Sequence, residues 1–348
     1  MLVFFAASIL APANSNPAAR PAAGTPWTLV WNDEFDAASC PGGRPDPKKW
    51  GYEHGMVRNH EAQWYQPDNA ACQDGKLVIT AERVTPSKDK GNAQYTSSSL
   101  VTQETAQWMY GRMEMRGKID VRSGSWPAWW TLGNDTGKVG WPECGEVDIM
   151  EYYRTMMHGN IMYSDKQQHT HWSTKTITVG EGWAASFHNW SMYWDPTTLS
   201  LYLDGKQMNT ISIKGAAEPG VPNPFQQKVY MILNQAIGGS NGGDPSTTTF
   251  PLRFEVDYVR VYQGGSAWPP AGPPPPPSPA GGAAACRKQC GGSGKDGCCM
   301  FTEATGSCDF HGGWHVQGGG GSPGTEAANC YASGSCDGWN QDERCHQG

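Results

Sequence analysis

The sequence predicts an all-β chain: a β-sandwich or jelly roll of roughly 240 residues, followed by a small cysteine-rich module. Three observations predict it. The candidate strands are short, alternate in polarity and are rich in Val, Ile and Tyr. Gly, Pro and Asn punctuate them at short intervals. No long helical period competes.

The elements follow in chain order. Met1–Ser15 reads MLVFFAASILAPANS. Its apolar run Leu2–Ala11 has the length of a secretory signal and ends in small residues, too short to span a bilayer. It lacks a positive leading region, and a disordered N-terminus is the alternative. Lys76–Val84 (KLVITAERV) is a candidate strand. In Tyr110–Val121 (YGRMEMRGKIDV), Met113, Met115, Ile119 and Val121 face one way, and Arg112, Glu114, Arg116 and Lys118 the other. Leu199–Leu203, Lys228–Leu233 and Phe254–Tyr262 are further strands, and Asp204-Gly205 has hairpin-turn chemistry. Residues 264–285 (GGSAWPPAGPPPPPSPAGGAAA) form a proline-rich linker that cannot build a core. Residues 286–348 hold eight cysteines among glycine-rich spacers. A module this small needs disulfides. Its Phe310, Trp314, Tyr331 and Trp339 offer either a polysaccharide-stacking platform or a small core. Zinc is disfavoured by the oxidising context and the cysteine spacing.

The stretch Glu143–Tyr153 (ECGEVDIMEYY) carries four acids in an otherwise apolar, strand-like run. Strand alternation puts Glu146 and Asp148 on one face, with Val147 and Ile149 on the other. Glu151 is five residues from Glu146, so strict alternation sends it to the wrong side. A β-bulge near Ile149–Met150 returns it to the acidic face. Three crowded carboxylates resist simultaneous ionisation and retain a proton. Retaining glycoside hydrolysis uses such a pair, about 5–5.5 Å apart, one as nucleophile and one as proton donor. Five extended residues span roughly 16 Å, so the bulge and a curved sheet are both required. A solvated strand face or a calcium site are the competing readings of the same spacing.

Composition bounds the function. The net charge of -7 and the lack of any Lys/Arg run argue against nucleic acid. No segment after the leader is apolar enough for a membrane span. Only 17% of residues are charged, yet there are 16 Trp, which suits a surface that stacks on neutral sugar rings. Of 11 cysteines, only Cys40, Cys72 and Cys144 precede residue 286. A Cys40–Cys72 bridge with Cys144 free and buried is the expected arrangement. Because the count is odd, at least one thiol is unpaired or bonds outside the chain. Asn134-Asp-Thr and Asn189-Trp-Ser are glycosylation sequons.

WPECGEVDIMEYY resembles the active-site signature of glycoside hydrolase family 16, in its laminarinase-like endo-β-1,3-glucanase branch. YGRME at Tyr110, WPAWWTLG at Trp126, FHNW at Phe187, LNQAIGG at Leu233 and DYVRVY at Asp257 resemble further family blocks in the family order. RNHEAQWY at Arg58 resembles an upstream cleft segment. The resemblance covers about residues 27–263. It implies a concanavalin A-like jelly roll with an open polysaccharide cleft on its concave face.

By the same resemblance, Glu146 is the expected nucleophile, Glu151 the acid/base and Asp148 the supporting carboxylate. Of the adjacent Trp129 and Trp130, one faces the core. Trp126 and Trp130 share a parity and are expected to line sugar subsites. Asn59, Glu61, Arg112 and Asn234 are expected near the cleft, with ordinary ion pairs or a structural amide as the alternatives. No cofactor is needed for catalysis. A structural calcium ion on the convex face is expected, with Glu34 and Asp257 among its ligands and other oxygens completing the set.

Two departures stand out. The family pattern H-G-x-x-H-Y reads His158-Gly-Asn-Ile-Met162-Tyr here, and His169 or His171 are the remaining candidates for the missing histidine. Glu143 stands where a small residue is usual. The expected activity is secreted, monomeric, retaining endo-hydrolysis of laminarin-type β-1,3-glucan. Its rivals are mixed-linkage glucan or red-algal galactan as substrate, transglycosylation, and non-catalytic glucan recognition. Recognition is opposed by the presence of both Glu146 and Glu151.

Overall fold

A computed structural model describes residues 25–164, 169–216 and 222–265, together with the backbone of 297–302 and 307–312. The expected signal segment lies outside the described residues. So do nearly all of the linker and the side chains of the cysteine-rich module. The chain divides between Pro269 and Pro270 into two units. Of the second unit, the described part is an antiparallel pair, Gly297–Thr302 with Ser307–Gly312.

The first unit is a two-sheet sandwich among its described residues. One sheet has ten strands. Its main path runs Lys206–Ser212, Thr198–Leu203, His188–Trp194, Gly111–Lys118, Leu252–Gln263, Lys76–Arg83, Tyr95–Ser97, Gln63–Tyr65. The other has seven: Thr170–Thr178, Met156–Ser164, Glu146–Tyr153, Ser125–Gly133, Val229–Ile237, Ser99–Val101, Gly51–Tyr52. The expected strands are all present. Asp204 and Gly205 both have positive φ, 49° and 73°, and close the hairpin between Thr198–Leu203 and Lys206–Ser212.

The two sheets bury a shared apolar layer, which drives their packing. Met113, Met115 and Ile119 enter it from the ten-stranded sheet, as their alternation predicts. Trp129, Val147, Ile149, Met150, Met231 and Leu233 enter from the seven-stranded sheet. A separate apolar group of Ala128, Trp130, Leu132, Tyr230 and Ile232 lies on the opposite face of that sheet, together with Cys144. Cys40 and Cys72 form a disulfide, and Cys144 is free and buried.

One expectation is corrected. Arg112 shares the parity opposite to Met113, so it leaves the core on the outer side of the ten-stranded sheet. There it pairs with Glu114 and packs over the rings of Tyr193 and Tyr262, away from the cleft. Glu34 is held by Arg260, which donates to its two oxygens at 2.9 and 2.7 Å. Asp257 accepts from Arg116 at 2.7 Å. The two expected calcium ligands are thus each engaged by an arginine on the outer face. Among the described residues, no three His, Cys, Asp or Glu side chains gather as a metal site.

Candidate active site

The acidic strand Glu146–Tyr153 pairs on one side with Ser125–Gly133 and on the other with Met156–Ser164. Its register slips against both neighbours between Asp148 and Glu151. Asp148 opposes Trp130 and Asn160, whereas Glu151 opposes Ala128 and His158. The slip is a bulge that absorbs one extra residue. Val147, Ile149 and Met150 all pack into the core, and Glu146, Asp148 and Glu151 emerge together on the other face.

That face is the floor of a cleft of about 480 Å³. Asn59, Glu61, Trp126, Trp130 and Asn234 line it as well. Each is held by a local partner. Trp126 Nε1 donates to Glu151 Oε1 at 2.8 Å, and Trp130 Nε1 donates to Asn234 Oδ1 at 2.8 Å. Asn234 Nδ2 in turn donates to the Tyr65 hydroxyl at 2.9 Å, so it is a structural amide and a wall residue at once. Asn59 and His60 adopt left-handed backbone, φ 55° and 54°. The loop thereby folds onto Gly239, where a Cβ would come within 2.8 Å of the Asn59 carbonyl oxygen. Glu61 accepts from Gln63 at 2.7 Å, and burial pushes its pKa up.

Several further cleft residues have no role assigned by the spacing or the motifs. Arg58 lies 5.1 Å over the Trp130 ring and pairs with Glu53. Trp141 and Trp172 meet edge-on at 6.1 Å and remain 50% and 57% exposed. Tyr153, Asn160, Thr174 and Asn241 complete the walls. Trp172 sits on the edge strand Thr170–Thr178, in register with Met162.

The histidine positions are resolved differently from the family pattern. His158 is buried, its ring stacked on Tyr153 at 3.9 Å. Met162 lines the cleft opposite Glu146. His171 stacks on Tyr163 at 4.8 Å and does not line the cleft. Asn160 instead supplies the polar contact from that strand. Its Nδ2 donates to Asp148 Oδ2 at 3.0 Å and to Glu151 Oε2 at 2.7 Å. Glu143 is not among the lining residues.

Asp148 is 5% exposed, while Glu146 and Glu151 keep part of their surface open to the cleft. Burial pushes all three carboxyl groups up, Asp148 to about 6. Glu146 is raised further by the charges of Asp148 and Glu151. A hydrogen bond from Trp141 and the positive charge of Arg58 oppose this. Glu151 is raised further by Asp148, both through charge and through a shared hydrogen bond, while Trp126 and Asn160 lower it. The three acids therefore titrate as one unit that holds on to protons at mildly acidic pH.

The comparisons with known proteins follow this geometry. Residues 58–260 match the family described as Glycosyl hydrolases family 16. The chain is 34% identical over 255 residues to the clotting factor G alpha subunit of Tachypleus tridentatus, covering 71% of this chain and 35% of that protein. It thus spans about a third of that relative. It is 34% identical over 256 residues to a beta-glucanase of Rhodothermus marinus, covering 68% of this chain and 85% of that one. The solved laminarinase catalytic domain from Thermotoga maritima MSB8 superposes with a TM-score of 0.60 at 35% identity, over 68% of this chain and 98% of that one. A bulged acidic strand, a tryptophan-walled cleft and a match over most of the sandwich agree: the chain belongs to glycosyl hydrolase family 16.

Proposed function

We propose that this protein is a secreted, monomeric endo-glycosidase that hydrolyses β-1,3-glucan with retention of configuration. The observation that carries the reading is the bulge, which delivers Glu146, Asp148 and Glu151 to one face of an open, aromatic-walled cleft. The names of the relatives, a beta-glucanase and a laminarinase, favour a glucan as substrate.

In this reading Glu146 attacks the anomeric carbon while Glu151 gives its proton to the departing glycosidic oxygen. The bond to the leaving sugar breaks and a glycosyl ester on Glu146 forms. Glu151, now a carboxylate, takes a proton from water. That water attacks the same carbon and releases Glu146. Asp148 shares the acid proton through its hydrogen bond to Glu151. Arg58 favours ionised Glu146, whereas Asp148 favours the protonated form of both glutamates. Trp126 and Trp130 are largely buried in the cleft wall, and the exposed Trp141 and Trp172 offer flat apolar surface to pyranose faces.

Export rests on the Leu2–Ala11 segment. The cysteine-rich module, joined by the linker, is assigned to holding the enzyme on polysaccharide, which raises local substrate concentration. Proton NMR of laminarin digestion tests the mechanism. The first-formed reducing ends are expected to be the β anomer, relaxing later to the α/β mixture. First-formed α anomer would mean inversion and would remove Glu146 as nucleophile.

A further inference from the structure

Asn160 stands in register with Asp148 on the strand Met156–Ser164, and only 3% of it is exposed. Its amide nitrogen has two hydrogens, and each meets a different carboxylate, Asp148 Oδ2 at 3.0 Å and Glu151 Oε2 at 2.7 Å. The other Glu151 oxygen accepts from Trp126 Nε1 at 2.8 Å. The Glu151 carboxyl is thus gripped from both flanking strands. An amide N–H can only donate, so it favours a lone pair over a proton where it points. The Glu151 proton is thereby confined to the remaining positions, beside Asp148 or toward the cleft. Met162, on the same face two residues on, has no N–H to offer.

We propose that Asn160 is the positioning residue of the acid pair: bridging Asp148 and Glu151, it orients the Glu151 carboxyl and sets how the two share a proton. This rests on Glu151 being the acid/base. The groups around Glu151 are few. Glu146 and Asp148 share its strand. His158 opposes it from Met156–Ser164, stacked on Tyr153. Ser125–Gly133 brings the neutral Trp126, the edge strand brings Trp172 and Thr174, and Arg58 and Glu61 face the cleft from the loop opposite. Among these, the Asn160 amide touches both Asp148 and Glu151. Removing it takes away a donor that favours the ionised forms, so the acid should keep its proton to higher pH.

The test is a carboxyl-carbon NMR titration of labelled glutamates in the full chain, with Glu151 assigned by Glu151→Gln. In Asn160→Ala the apparent Glu151 pKa is expected to rise by about one unit. On laminarin, kcat should fall on the order of tenfold with its alkaline limb moved upward. On dinitrophenyl β-laminaribioside, whose leaving group needs no proton, kcat/KM should change less than about threefold. An unmoved Glu151 titration, or equal losses on both substrates, would overturn the proposal. If Asn160→Ala does not fold, Asn160→Ser, too short to bridge both acids, decides by the same titration. If the wild-type protein leaves laminarin and the laminaribioside intact, the functional reading falls while the titration still judges Asn160.

Discussion

Of the three acids on the cleft floor, Asp148 is the most withdrawn from water, and its pKa of about 6 against an ordinary 3.8 makes it a stability liability. The folded chain binds this proton more tightly than the unfolded chain does. Stability is therefore full below about pH 4, falls as pH rises to about 6, and stays low above that. Asp148→Asn removes the liability. It should raise Tm at pH 7, by the equivalent of about 3 kcal/mol, and show no gain near pH 4. Thermal melts across that range check the sign; a gain that is independent of pH would mean that burial of the charge is not the cause. At this scale the three acids and Trp126, Trp130, Asn59 and Asn234 are legible from spacing and motif. Arg58 and Trp141 stand inside the quoted blocks without a stated contact, and Asn160 and Trp172 reach the cleft from neighbouring strands whose register no local pattern states.

The element that decides the chemistry is the bulge. The two-residue period of a strand cannot place Glu146 and Glu151 on one face, so the extra residue is implied by the spacing itself, and the register confirms the slip between Asp148 and Glu151. Inserting an alanine between Met150 and Glu151 would shift the strand by one further residue and turn Glu151 toward the core. Buried there without partners, it should cost several kcal/mol. Activity should fall to the level of Glu151→Ala, with a lowered Tm. Retained activity in the insertion variant would show that another acid can serve. The family resemblance, not parity, assigns Arg112 to the cleft. Alternation correctly sends it away from Met113 and Met115. What alternation does not state is which sheet Gly111–Lys118 joins, and that sheet turns its outer face away from the site.

Across the whole molecule, sandwich architecture is legible in short strands, turn chemistry and the single helix-free pattern, whereas sheet order depends on pairings between residues far apart in sequence. Val229–Ile237, for example, lies beside Ser125–Gly133, about a hundred residues earlier. The outer face is cross-linked by ion pairs, Arg260 with Glu34 and Arg116 with Asp257, at the positions expected to hold calcium. Chelator should therefore shift Tm by less than about 2 °C. Glu34→Gln, which leaves a largely buried Arg260 unpaired, should cost about 2 kcal/mol and lower Tm by several degrees. A calcium-dependent rise in Tm would contradict this account of the outer face.

The most direct measurement is release of oligosaccharides from laminarin by the purified protein, run beside Glu146→Ala and Glu151→Ala, with lichenan and agarose as comparison substrates. Rapid release of short oligosaccharides from laminarin, lost in both variants, is the predicted result. Release that survives either substitution, or cleavage of agarose alone, would contradict it.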